Sequence, residues 1–318
     1  MVATPTQQEL MAAHCWEAED HVPRQRAMTD FRRGLRYHQA RWREAHGHPI
    51  GSQPIAPRPG RDPDRLVGSR LPLAYAQDTG ANFITAPARD AAKARTSMIE
   101  RHQSFDRQRL WADLLWAPAM CFNLFGDLAA DLTLADRAVH TWWPDVPGTV
   151  SEVRFAHSPG RLDPAYLGNL VDLDAAFVLD VGDGSRGIVG VITAYHNVNR
   201  PQAPKPSRLP RYREITERSG VFRADAMPAV NGTHLIHIWL DQQLVHSMLQ
   251  HATDNWSWGR LIVVHPAGNS DFADACTQYR ALLTDTSTFA STTIEALLAA
   301  DVLPATTIAA FRDRYLPG

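Results

Sequence analysis

The densest apolar patterning in the chain lies between residues 149 and 197. Three runs, 150–157, 174–181 and 186–195, are short and rich in Val, Ile, Phe and Tyr. Short runs of β-branched and aromatic residues predict strands rather than helices. Gly182-Asp183-Gly184 between the second and third runs is a tight-turn signal, so those two pair as a hairpin. Ser158-Pro159-Gly160-Arg161 stops the first strand. The pattern is a three-strand meander with Asp174 at the head of its second strand.

Elsewhere the apolar spacing is helical. It covers 7–46, broken at Pro23, and 105–128, where Pro118 predicts a kink or a split. Ser104 ahead of Asp106 reads as an N-cap arrangement. A helix over 134–143 closes at Pro144. An amphipathic helix over 232–252 carries Leu235, Ile238, Trp239, Val245, Met248 and Leu249, and a short buried strand follows at 260–265. The tail is helical over 271–283, 292–300 and 306–315, with a capping-box pattern from Thr292 to Glu295. Residues 48–75 are rich in Pro and Gly and read as irregular. The expected organisation is a helical, Arg-rich arm and linker over 1–75, then a main domain over 76–318. The central order of helix, three strands, helix and strand predicts an α/β class with a mixed sheet flanked by helices.

Composition narrows the class. Of 318 residues, 44% are hydrophobic and 21% charged, which excludes a disordered or fibrous chain. No apolar run approaches the roughly 18 residues of a membrane helix, so no membrane partner is expected. Three scattered cysteines and a polar start predict a reducing, cytoplasmic setting. The net charge of −2 is unevenly spread. Residues 22–70 hold eleven Arg against four acids, and residues 200–223 hold six Arg and Lys205 against Glu214 and Glu217. Two basic segments on an acidic body predict a polyanionic partner; the plainer alternative is an ion-paired surface. Lys93 and Lys205 are the only lysines, so any mechanism needing one has two choices.

Several chemistries are excluded. There is no G-x-x-x-x-G-K-[ST] loop, no G-x-G-x-x-G between strand and helix, and no G-x-S-x-G elbow. His234, His237, His246 and His251 share one predicted helix without a third ligand type at metal-binding spacing, which makes them helix-packing histidines. Asp174 is the acid best placed for chemistry. Phosphodiester hydrolysis on such a meander needs several carboxylates around Mg²⁺ and a lysine beside them.

Residues from about 65 to 300 resemble a bacterial restriction-endonuclease family within the PD-(D/E)xK nuclease superfamily. The resemblance is carried by RLWADLLWAPAMCFNLFGDL (109–128), VRFAHSPGR (153–161), LDAAF (173–177), RGIVGVITAYHN (186–197) and HIWLDQQLVHSML (237–249). It implies a restriction-endonuclease-like core, helix-strand-strand-strand-helix-strand, with helical additions at both ends. It also implies DNA as partner and Mg²⁺ as cofactor if the protein is active. The family's first strand reads F-E-H-S-P-G-R, and its acid position is Ala156 here. The second-strand acid matches Asp174. The E-x-K pair falls on Ile192 and Ala194, and a further acid on Asn197.

The resulting expectation is a DNA-binding, restriction-endonuclease-like protein with a degenerate catalytic site, serving DNA or a protein partner in a defence system. Its expected phosphate contacts are Arg200, Lys205, Arg208, Arg211 and Arg213, in a loop kept extended by its prolines. One alternative is an active Mg²⁺-dependent endonuclease with migrated carboxylates, drawn from Glu152, Asp180, Glu214 and Glu217. Glu152 leads these because period-2 alternation puts it on the face of Ala156, beside the metal-binding Asp174. Another alternative is a scaffolding module with no nucleic-acid role.

Overall fold

The computed structural model describes residues 5–15, 29–52, 65–98, 100–103 and 105–317. Helices α1 (Gln7–Ala12) and α2 (Asp30–Ala45) precede a two-residue strand pair, β1 (Gly51–Ser52) and β2 (Leu66–Val67). Then come α3 (Leu73–Thr79), α4 (Ala86–Ser97), α5 (Arg107–Ala112), α6 (Ala117–Ala130) and α7 (Leu132–Trp142). The meander is β3 (Thr149–His157), β4 (Leu173–Gly182) and β5 (Ser185–Thr193). Helices α8 (Leu209–Ser219), α9 (Ala226–Val230) and α10 (Ile236–Leu249) lead to β6 (Trp256–His265). Helix α11 (Ser270–Arg280), β7 (Phe289–Thr293), α12 (Ile294–Ala299) and α13 (Ala305–Tyr315) complete the chain.

The chain divides into two compact units. One comprises residues 1–94, 106–126 and 304–318; the other comprises 95–105 and 127–303. The expected boundary near residue 75 falls inside the first of these. The first unit holds its carboxyl-terminal helix by buried polar contacts. Arg314 donates to the Asn82 carbonyl at 2.9 Å, and Asn123 Nδ2 donates to the Tyr315 hydroxyl at 2.6 Å.

The second unit contains a five-stranded sheet of order β3-β4-β5-β6-β7. The meander is antiparallel, and β6 and β7 add in parallel. The hairpin forms as its sequence predicts. Gly182 pairs with Ser185, and the two turn residues Asp183 and Gly184 both lie in the left-handed region, at φ 53° and 72°. Positive φ at both central positions is the type I′ geometry, which matches the twist of the strands. Alternation then sorts the two faces of the sheet. Ala176, Val178, Ile188, Leu261 and Val263 share a core with Trp239, Val245 and Met248 of α10. On the opposite face, Phe177 meets the Trp143 ring at 6.3 Å, just beyond α7.

Several local expectations are corrected. Of the two outcomes expected at Pro118, the split occurs: α5 ends at Ala112 and Pro118 lies in the first turn of α6, where its missing N–H costs nothing. Asp106 itself caps α5, accepting from Arg109 N at 3.0 Å, while Ser104 lies outside the described residues, as do residues 16–28 around Pro23. The cap of α12 is Thr293, and the residues before it form β7. The segment at 199–223 is not an extended loop. Tyr212 and Ile215 bury one side of a helix there, and Gly220 ends it in a left-handed cap. Proline in the first turn supports that helix instead of preventing it.

Candidate active site

The site is a row of residues across the α10 face of the sheet. The pairs Phe155↔Ala175 and His157↔Leu173 place Ala156 opposite Asp174. The pair Ala175↔Val191 carries the register on to place Ile192 opposite Asp174 from the other side. Asp174 is therefore flanked by a methyl group and a hydrocarbon chain. Its Oδ2 accepts from Thr193 N at 2.6 Å and from Thr193 Oγ1 at 2.8 Å. Ile192 packs against the α10 core. Ala194, at the expected lysine position, is fully buried, and its N–H donates to the Val264 carbonyl at 2.8 Å.

Two acids that sequence reasoning passed over lie near Asp174. Asp172 precedes it by two residues, and Asp241 comes from α10. Burial raises the Asp174 carboxyl to about 7, against the pull of its Thr193 hydrogen bonds and with a further push from Asp172. Burial also raises Asp241 well above the carboxylate range, and Asp174 and Asp172 add to that rise. Asp172 is raised by burial too, but Arg161 opposes the rise, with Nη2 donating to its Oδ2 at 2.9 Å. Asp241 is the one acid of α10, among His237, Gln242, Gln243 and His246, and only the packing of that helix on the sheet brings it toward Asp174.

The end of β3 is pinned by two arginines. Arg95 donates to the Phe155 carbonyl at 2.8 Å and the Ala156 carbonyl at 3.1 Å. Arg161 donates to the Ala156 carbonyl at 2.9 Å and pairs with Glu100, which also faces Arg95 at 3.2 Å. Ala156 sits at φ 47°, a left-handed conformation uncommon for a residue with a side chain. Next to it, burial holds the His157 imidazole down at about 3, with Arg154 the next contributor.

Among known proteins, the model of the PD-(D/E)XK nuclease superfamily matches residues 25–317. The chain belongs to that superfamily. No curated protein and no solved structure gives a significant match.

PD-(D/E)XK nucleases usually use divalent metals such as Mg²⁺. Mg²⁺ requires a near-octahedral oxygen shell. Ala156 and Ile192 offer no oxygen beside Asp174, one Asp174 oxygen already holds two hydrogen bonds, and Asp172 is engaged by Arg161. Among the described residues, no group of three or more His, Cys, Asp or Glu side chains is placed to hold a metal ion. The residues present do not fit a resident Mg²⁺.

The remaining expected site residues are spread more widely. Glu152 is exposed and ion-paired with Arg154, which draws its carboxyl below the usual range. Among the basic residues, Arg211 is already used. It donates to the Tyr166 carbonyl at 2.7 Å and the Ala165 carbonyl at 2.8 Å, and pairs with Glu214 at 2.8 Å. Arg200, Lys205 and Arg213 are exposed and Arg208 partly so. Among the described residues, no helix is long and apolar enough to cross a membrane.

Proposed function

We propose that this PD-(D/E)XK protein binds duplex DNA and does not hydrolyse it. The observation that carries this reading is the row Ala156–Asp174–Ile192. One acid is kept, both its cross-strand neighbours are apolar, and burial favours its neutral form. With no cross-strand oxygen on either side of Asp174, the row supplies too few ligands to gather Mg²⁺ and activate an attacking water. The binding half of the reading is supported by the charges at the start of α8. Arg200, Lys205, Arg208 and Arg213 supply phosphate contacts, whereas Arg211 holds the loop at 165–166.

Duplex binding measured at several salt concentrations tests this. Neutralised phosphates release counterions, so affinity falls steeply as salt rises. Replacing Arg208 and Arg213 together with Ala should weaken binding to all sequences alike and reduce the log–log salt slope by about 1 per lost contact. A double variant that binds as tightly as the parent, with the same slope, overturns the assignment of this surface. No duplex binding by the parent would overturn the DNA reading and favour a protein partner.

A further inference from the structure

Immediately beyond the pinned end of β3, the chain turns back over Ser158–Pro164 and faces residues 100–102. Together they line an open cavity of about 500 Å³, within the volume range of small-molecule sites. All of it belongs to the second unit. We infer that this cavity is a subsite for one phosphorylated nucleotide unit. The inference rests on the nucleic-acid reading above and adds a second, separate contact region to it.

The wall chemistry selects the ligand class. Arg161 lies at the base with its side chain only 2% exposed, and its Nε has no hydrogen-bond partner among the described residues. Its other nitrogens are held by Glu100, Asp172 and the Ala156 carbonyl. The Glu100 carboxylate is thereby spent on Arg161 and Arg95. Asp163 accepts from the Ala165 N–H at 2.9 Å. Glu100 is thus ion-paired within the protein, whereas Asp163 is exposed and holds a backbone N–H. Arg101 and His102 are exposed cavity residues, and Ser158 adds a hydroxyl. This leaves the Arg101 guanidinium, the His102 ring and the Ser158 hydroxyl as donors toward the cavity, groups from which a phosphate accepts. Pro159 and Leu162 provide an apolar surface for a base or sugar, and Leu162 remains 38% exposed. Both walls contain a side-chain-bearing residue with left-handed backbone, His102 at φ 61° and Leu162 at φ 61°. Such conformations concentrate at ligand clamps.

The shared chemistry is a nucleoside monophosphate, either free or at the 5′ end of a strand. Calorimetric titration of the full chain with dAMP, deoxyadenosine, and 12-mer strands with 5′-phosphate or 5′-hydroxyl ends tests it. The phosphorylated ligands should bind, and loss of the phosphate should weaken binding about tenfold or more. Tighter binding of the phosphorylated strand than of dAMP assigns the site to strand ends; equal binding assigns it to the free nucleotide. Arg101→Ala combined with His102→Ala should weaken the phosphorylated ligands by a similar factor without changing the melting temperature. Leu162→Glu, at an exposed position, should do the same by placing a negative charge in the wall. No binding of any phosphorylated ligand by the parent, or unchanged affinity in both variants, overturns the inference. Arg208→Ala with Arg213→Ala separates the two readings: it should lower duplex affinity and leave dAMP binding intact. If dAMP binds and duplex DNA does not, the subsite stands and the duplex reading fails.

Discussion

Asp174 combines an acid's chemistry with an environment that suppresses it. Its unfolded carboxyl ionises near pH 4, whereas the folded one is raised to about 7. Between those values the folded state keeps a proton that the unfolded state has lost, so this group's contribution to stability falls as pH rises. Asp174→Asn has no such proton. Its stability relative to the parent should therefore grow from pH 4.5 to 8, by on the order of 2–4 kcal/mol. Denaturant midpoints across that range measure it, and a constant offset between the two proteins contradicts it. Ile192 gives the complementary test. Ile192→Glu puts a second carboxylate opposite Asp174 against the α10 core. It should cost on the order of 1–3 kcal/mol without metal. An unchanged melting temperature would show the position open to water.

At the scale of elements, the meander was the most legible part of the chain, because period-2 alternation and a Gly-Asp-Gly turn agree with each other. The turn itself can be tested. Gly184 has open space where a side chain would project but sits at φ 72°, so Gly184→Val should destabilise through backbone conformation alone, by about 1–2 kcal/mol. A smaller loss in urea titrations would mean that the turn relaxes to another type. Helix α8 was not legible. Four prolines and a high charge read as a stiff extended loop, yet Pro210 in the first turn is compatible with a helix, and burial of Tyr212 and Ile215 decides for it. That change separates the basic residues into two groups. Arg211→Ala should lower stability by about 1 kcal/mol through its lost carbonyl contacts, with little change in the salt slope. A large slope change would place it on the DNA instead. Strand β7 was missed because Phe-Ala-Ser-Thr-Thr is short and runs straight into a threonine-capped helix.

Over the whole molecule, the order of the central elements was readable because short apolar runs with turn residues mark the strands and helical spacing marks the helices. The candidate site was only half readable. Matching strings placed Asp174, Ala156 and Ile192, but Asp241 and Asp172 acquire meaning only once α10 lies over the sheet and Arg161 folds back from beyond β3. Such partners are far apart or masked by ordinary spacing, and only tertiary packing brings them together. The division into two units, each assembled from separated stretches of sequence, was hidden for the same reason. Superfamily membership alone predicts phosphodiester hydrolysis, whereas the residues around Asp174 predict its loss. Incubation of the purified protein with supercoiled plasmid and Mg²⁺ or Mn²⁺, beside Asp174→Ala, decides between them. The parent should leave the plasmid supercoiled at every metal concentration, as the variant does. Metal-dependent nicking or linearisation by the parent that Asp174→Ala abolishes would contradict the loss of catalysis and return the acids near Asp174 to a working site.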